Sequence, residues 1–482
     1  MLDNSEHQAS SSPSGNAGHL PMPLPTIPLS ELLNRQDAFF RTGATRSYKF
    51  RVLQLKKLKG LIQEHEKSIL EALGKDLRKH KTEAYLAEVG FIYAEISDAL
   101  RHLKRWMKPR RVSSPLVLWP ARCRIVPEPL GRALIIAPWN YPFNLSIAPL
   151  VGAIAAGNVA VLKPSEMAPH TAIVLAKLIN ENFDADFIHA LNGGVELSKE
   201  LLNQRWDHIF FTGSTAIGKV VAAAAAKHLT PCTLELGGKS PCIVSKHARI
   251  DVTVRRIVFG KFLNAGQTCI APDYILVEES VHDTFISKLK EEIRLRFGTD
   301  ALNNSQLPKV INEHHFERLV RMIEPSKVSL GGRTDAMQLL IEPTLITGVQ
   351  MSDPVMKEEI FGPLLPIIPF RDLKEAKSIV QGFEKPLALY FFSEDKAEQK
   401  DIMTSLSFGG GCINETLMHL ANPNLPFGGT GASGSGAYHG QHSFNTFSHM
   451  KSVLVNSTSF DPALRYMPWS KFKERMMRLL LK

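Results

Sequence analysis

The sequence predicts an α/β protein in which a parallel sheet is followed by a second alternating α/β region, and three observations carry that prediction. Short apolar runs at 133–137, 159–162, 187–190 and 209–211 alternate with segments long enough for crossover helices, 147–156 and 171–180 among them. A second alternation begins beyond Gly237, passes through 274–277 and a helical stretch at 281–297, and continues to about Gly411. Ahead of both, residues 30–106 carry apolar positions at three- and four-residue spacing, the mark of amphipathic helices.

Taken in order, residues 1–29 are rich in Ser, Pro, Gly and Asn and end in Pro21-Met22-Pro23-Leu24-Pro25, so a disordered tail is expected there. Phe50, Leu53, Leu55 and Leu58, then Leu86, Val89, Ile92 and Ile96, are expected to form apolar helix faces. Thr82 is the expected N-cap, with Glu83 in the first turn near the positive end of the helix dipole. Pro109 ends the helical run. Each strand of the first alternation then closes in a polar or Gly/Pro turn, and ligands bind at such carboxyl ends. The chain's last stretch spaces Phe472, Met476, Leu479 and Leu480 along one helical face, with Lys and Arg elsewhere. Two expectations follow from this basic amphipathic tail: weak contact with an anionic membrane surface through 470–482, or capping of its own subunit or a partner's.

Composition narrows the function classes. A chain of 482 residues with 44% hydrophobic and 22% charged content is expected to hold two or three domains with ample cores. No apolar run is long enough to span a bilayer, and the start lacks a basic segment followed by an apolar one, so export is not expected. Five cysteines, at 123, 232, 242, 269 and 412, form no close pairs, which argues against a disulfide framework and fits a reducing cytoplasm. The net charge of +10 is not gathered into a basic stripe with interleaved aromatics, so no nucleic-acid partner is expected. His439, His442 and His449 have ligand-like spacing but no cysteine or carboxylate partner in sequence, so no metal is expected. The run 431–436 lacks the Gly-Lys-Ser/Thr ending of a phosphate loop and reads as a flexible loop.

The chemistry is concentrated elsewhere. Asn264-Ala265-Gly266-Gln267-Thr268-Cys269 sets one thiol among small and polar residues, downstream of Glu235-Leu236-Gly237-Gly238. That pairing suggests a covalent nucleophile and a base, since a thiol attacks only as its thiolate. A lone cysteine is more often a buried structural residue, so its neighbours must decide. The run 209–211 leads into Thr212-Gly213-Ser214-Thr215-Ala216-Ile217-Gly218, a turn that can present a helix N-terminus to a phosphate. Lys163-Pro164-Ser165-Glu166 would put a cation and a carboxylate at the same sheet edge, able to hydrogen-bond ribose hydroxyls. An ordinary turn is the plain alternative for both.

Together these residues resemble the aldehyde dehydrogenase superfamily, and most of all its class 3, fatty and aromatic aldehyde branch. The likeness spans about residues 30–460 and includes, in family order, Pro138-Trp139-Asn140-Tyr141-Pro142-Phe143, Lys163-Pro164-Ser165-Glu166, Phe211-Thr212-Gly213-Ser214, Leu234-Glu235-Leu236-Gly237-Gly238-Lys239, Gly266-Gln267-Thr268-Cys269, Glu358-Glu359-Ile360-Phe361-Gly362-Pro363 and Pro426-Phe427-Gly428-Gly429. The resemblance implies Cys269 as nucleophile, Glu235 as general base and Asn140 as side-chain oxyanion donor in the NAD(P)-dependent oxidation of medium- or long-chain or aromatic aldehydes to acids. It implies NAD as the cofactor, with NADP as an alternative. Lys163 and Glu166 would meet the adenosine ribose, Gly213 and Ser214 the pyrophosphate, and Glu359 and Phe361 the nicotinamide ribose and ring. It further implies an aldehyde dehydrogenase-like fold. A Rossmann-like dinucleotide-binding domain would occupy 30–107 and 126–236, and an α/β catalytic domain 237–430. A small oligomerisation arm would combine 108–125 with 447–460, ahead of the basic tail at 461–482. By the same resemblance, a homodimer is expected.

Overall fold

The computed structural model describes residues 27–481, so the tail expected over 1–29 lies outside the described residues as far as residue 26. The first sheet has six strands, in the order Gly434–Ser435, Cys232–Glu235, His208–Thr212, Arg132–Ile136, Val159–Lys163 and Ile188–Ala190. The last five are mutually parallel, with Leu134 opposite Val161 on one side and Ile209 on the other. Covered on both faces, such strands read as unbroken apolar runs, which is why the sequence reveals them. The chain lays its strands outward from Arg132–Ile136 to Ile188–Ala190, then returns to place His208–Thr212 on the opposite side. That reversal creates a crevice at the carboxyl ends of Arg132–Ile136 and His208–Thr212, where open α/β sheets bind their ligands.

The second sheet orders Val328–Leu330, Thr344–Ile346, Leu364–Phe370, Tyr274–Glu278, Pro241–Val244, Ala388–Phe392 and Gly410–Ile413, and only its first strand is antiparallel. A third sheet is antiparallel and joins Arg110–Val112, Arg122–Pro129 and Ser448–Val455.

Three local readings are corrected. The run 431–436 is built into the first sheet, not left as a flexible loop: Gly434 and Ser435 pair with Glu235 and Leu234. Gly434 sits at φ 136°, and a Cβ there would lie 2.0 Å from the Leu234 carbonyl oxygen, so only glycine permits this approach. The cap at the start of Lys81–Ala84 is His80, whose Nδ1 accepts from the Thr82 N–H at 3.3 Å; Thr82 is inside the helix. Between that helix and Gly90–Trp106 the chain makes a widened π-helical turn, Tyr85–Val89. The turn adds a residue to the period, so Val89, Ile92 and Ile96 are buried while Leu86 is exposed.

Candidate active site

Two strands and two loops meet where the sheets adjoin. Glu235 ends the strand Cys232–Glu235, and the chain turns through Gly237 and Gly238 directly into the second sheet at Pro241–Val244. The thiol comes from the other direction. Helix Ile250–Phe262 gives way to Asn264 and Ala265, both left-handed at φ 53° and 51°, and then to Gly266 at φ 74°. Such a backbone is strained for Asn and Ala and is held only because its neighbours are pinned. The Gln267 amide donates to the Asn264 and Lys309 carbonyls, both at 3.0 Å, and accepts from the Ile311 N–H at 3.0 Å. Thr268 Oγ1 lies 2.7 Å from the Tyr141 hydroxyl, and the Tyr390 hydroxyl donates to the Ile270 carbonyl at 2.6 Å. Residues on either side of Cys269 are therefore fixed, and its half-buried thiol is presented in one direction.

Two cavities meet at Cys269. One, of about 180 Å³, is lined chiefly by apolar groups including Phe91, Leu145, Ile270, Leu417, Phe427 and Tyr438. Leu86, Phe259 and Met418, all exposed, line both this cavity and a wider groove of about 690 Å³. The other, of about 190 Å³, occupies the crevice predicted by strand order and is lined by Pro138, Trp139, Asn140, Gly213, Ser214, His315, Glu359 and Phe361. Thr212, Glu235 and Cys269 line both. The structure thus brings together Cys269, Glu235, Asn140, Gly213, Ser214, Glu359 and Phe361. Lys163 and Glu166 stand apart from that lining, at the carboxyl end of Val159–Lys163, and pair with each other at 2.5 Å.

Electrostatics separates the roles open to these groups. Burial pushes the Glu235 carboxyl well above its ordinary range, and neither of its oxygens has a protein partner. Burial, with Glu359 and Glu235 facing it, raises the Cys269 thiol as well. Burial and nearby Asp273 lift Glu359 to about 8. The loop carrying Glu359 is tied down by Lys239, which donates to the Val355 and Glu358 carbonyls at 3.0 and 2.9 Å and pairs with Asp273 at 2.5 Å. The Asn140 amide donates to the Gln267 carbonyl at 3.0 Å, which leaves its second N–H to be aimed elsewhere.

The second cavity, of about 190 Å³, has room for one end of a dinucleotide. It lies at the strand reversal, beside the first turn of helix Thr215–Ala226, whose Ser214 cap accepts from the Ile217 N–H. A Cβ on Gly237 would fall 2.0 Å from Glu359 Oε2, so glycine is required for that carboxylate to reach the cavity wall. Trp139 and Phe361 pack edge-on, with centroids 5.3 Å apart, as an apolar wall for a flat ring. Sequence reasoning passed over His315, which burial and Arg318 hold near 4 and therefore neutral, because a His-His pair within a short helix matches no motif. It also passed over Tyr390 and Tyr438, which come from distant strands and loops. His439 is not free for a metal trio: its Nδ1 lies 3.0 Å from buried Glu95, and its ring packs on Tyr438 and Phe427.

Comparison with known proteins follows the same lines. The family model described as the aldehyde dehydrogenase family matches residues 34–453. Aldehyde dehydrogenase family 3 member A2 of Macaca fascicularis is 47% identical over 90% of this chain and 90% of its own length. The dimeric, NADP-preferring aldehyde dehydrogenase of Mus musculus is 46% identical over 91% of this chain and 98% of its own. A solved structure described as the substrate-bound state of Staphylococcus aureus AldH superposes with a TM-score of 0.92 at 46% identity, covering 95% of this chain and all of that one.

Proposed function

As a chain that belongs to the aldehyde dehydrogenase family, NAD(P)-dependent and most like class 3, this protein oxidises aldehydes, and we propose that Cys269 is its nucleophile, Glu235 its general base and Asn140 its oxyanion donor. One observation carries the reading: a small apolar cavity and an equally small crevice at the strand reversal share a wall made of Cys269, Glu235 and Thr212. An aldehyde entering the first meets a hydride acceptor in the second across that shared wall. NAD(P), when bound, supplies the hydride acceptor. The Cys269 thiol gives up its proton to solvent and adds as the thiolate to the aldehyde carbonyl, and the Asn140 amide and Cys269 N–H hold the oxygen that takes up the charge. Loss of hydride from that carbon leaves an acyl thioester on Cys269. Glu235 then takes a proton from water, the hydroxide attacks the thioester, and the acid departs as the C–S bond breaks.

Lys163 and Glu166 would meet the adenosine ribose, with Gly213 and Ser214 by the pyrophosphate and Glu359 and Phe361 about the nicotinamide. On this reading Glu166 would favour NAD over NADP by repelling a 2′-phosphate. The apolar lining and exposed apolar rim favour medium- and long-chain or aromatic aldehydes, since longer chains can continue over Leu86, Phe259 and Met418 into the outer groove. Reduced-nicotinamide absorbance with short, long and aromatic aldehydes, with and without CoA, is the deciding assay. CoA-independent turnover supports hydrolysis by Glu235; strict CoA dependence would replace it with thiol transfer. Asn140→Ala is expected to slow turnover about a hundredfold if the amide donates to the oxyanion, and a rate within about twofold of wild type removes it from that role.

The cofactor-binding domain is proposed to comprise 30–107 and 126–236 and the catalytic domain 237–430, in a cytoplasmic homodimer. The third sheet would be its oligomerisation arm, because the edge strand Ser448–Val455 leaves Met450, Leu454 and Val455 exposed. Light scattering reads that state directly, and a monomer rejects it. No helix among the described residues is long and apolar enough to cross a membrane. The helix Lys471–Leu480 does expose Phe472 and Leu479 beside four basic residues, which suits weak binding to anionic lipid. Full-length protein should sediment with phosphatidylserine vesicles and a chain lacking 470–482 should not. Failure of the full-length protein to sediment rejects the contact.

A further inference from the structure

Lys79 and Glu88 form an ion pair at 2.6 Å in which both side chains are 0% exposed. The second carboxylate oxygen of Glu88 accepts from the N–H groups of Phe143 and Asn144, at 2.9 and 3.2 Å, where helix Asn144–Ala156 begins. Lys79 Nζ also donates to the Asn140 carbonyl at 2.8 Å and stands 4.1 Å from the centre of the Tyr141 ring. Asn264 Nδ2 reaches the same Asn140 carbonyl at 2.9 Å, while Glu83 accepts from the Asn264 N–H at 2.8 Å. Two carboxylates from one short segment therefore brace two loops: Glu88 the loop of Asn140, Glu83 the loop of Cys269.

The widened turn at Tyr85–Val89 explains how one segment serves both. On a regular α-helix, residues five apart point about 140° away from each other. A turn closed by an i→i+5 bond brings them toward the same side, and such turns are rare and frequently found at functional sites. Stability does not by itself account for the pair, because burying two charges costs more than packing apolar groups of the same shape. What an ion pair adds is direction: Lys79 aims a donor at the Asn140 carbonyl, and Glu88 aims its second oxygen at the Phe143 and Asn144 N–H groups.

We propose that Lys79 and Glu88 are positioning residues for Asn140. They lock the 138–144 loop so that the amide N–H not used on Gln267 faces the carbonyl oxygen of an aldehyde on Cys269. The inference rests on the oxyanion role proposed for Asn140. Misplacing a reacting group by about 1 Å can cost a hundredfold in rate, so the pair should act on turnover and not on substrate affinity.

The test is a double-mutant cycle of Lys79→Met and Asn140→Ala, measured with octanal and saturating NAD or NADP. Lys79→Met alone should lower kcat about tenfold or more, with KM for octanal and dinucleotide within about twofold. Added to Asn140→Ala, it should change kcat by less than about twofold, because the donor it positions is already gone. An unchanged kcat in Lys79→Met overturns the proposal, as does an equal loss in both backgrounds, which would mark a general structural role. If Asn140→Ala itself runs at the wild-type rate, the oxyanion reading fails first and the pair loses its target, an outcome distinct from failure of the pair alone. Should Lys79→Met not fold, Lys79→Met/Glu88→Gln leaves no unpaired buried charge and enters the same cycle.

Discussion

Cys269→Ala is expected to abolish aldehyde-dependent formation of reduced dinucleotide, with a loss of roughly four orders of magnitude or more, since no other group can take over the covalent step. The fold should tolerate the change. Cys269 is half-buried in a cavity wall, and the hydrogen bonds that shape its loop belong to Gln267, Thr268 and Ile270. Dinucleotide binding, followed by fluorescence, and the melting temperature should therefore stay close to wild type. Among the other thiols, Cys412 has a base nearest at hand, with Sγ 3.4 Å from His419 Nδ1, but it lines neither cavity. Cys412→Ala is accordingly the control that keeps full activity. Residual turnover in Cys269→Ala above about one hundredth of wild type would move the nucleophile elsewhere.

Glu235→Gln should separate the two halves of the reaction. Hydride loss does not need the carboxylate, so one equivalent of reduced dinucleotide should form in a burst, after which steady turnover falls by about 10²- to 10⁴-fold. Undiminished steady turnover would reject Glu235 as the base. The pH dependence has a definite sign. Burial raises the Glu235 carboxyl, and only its ionised form accepts a proton, so wild-type steady turnover should climb as pH rises through that raised value. Stability runs the other way. The folded chain holds this proton more tightly than the unfolded one, so the contribution is complete at pH values below the unfolded carboxyl and is lost as pH rises through the folded value. Glu235→Gln, which cannot ionise, should thus melt higher than wild type at pH 8.5, with the gap narrowing toward pH 5. Equal melting temperatures at both would mean that the carboxylate finds a partner on ionising.

The first sheet is legible in the sequence because parallel strands covered on each face leave continuous apolar runs, as at Ile135 and Leu162, and because crossover helices give them regular spacing; of the second sheet, only the strand at 274–277 stands out in this way. The catalytic pair is legible for a different reason. Glu235 and Cys269 each sit in a local run whose glycines and small residues serve a backbone need, visible in the positive φ of Gly238 and Gly266. What the sequence concealed are the elements whose reason is remote. The widened turn at Tyr85–Val89 leaves no periodic trace over five residues, and it is what exposes Leu86 and turns Glu88 inward. Gly434 and Ser435 look like any Gly/Ser loop because their partner strand lies far upstream. Lys79 stands in a charged stretch of sequence, and nothing local announces a buried ion pair.

The return of Gly434–Ser435 to the strand carrying Glu235, and of Ser448–Val455 to Arg122–Pro129, also sets the timing of folding. Closing such distant contacts is slow, because loop entropy is lost before the pairing is gained. During synthesis the strand Cys232–Glu235 has a bare edge until nearly the whole chain has left the ribosome, and an unpaired edge invites association with other chains. Truncated products ending before residue 434 should accordingly aggregate. Residues 434–455 then act as a clasp, fastened after the strands they cover have formed, that shields an association-prone edge of the nascent chain.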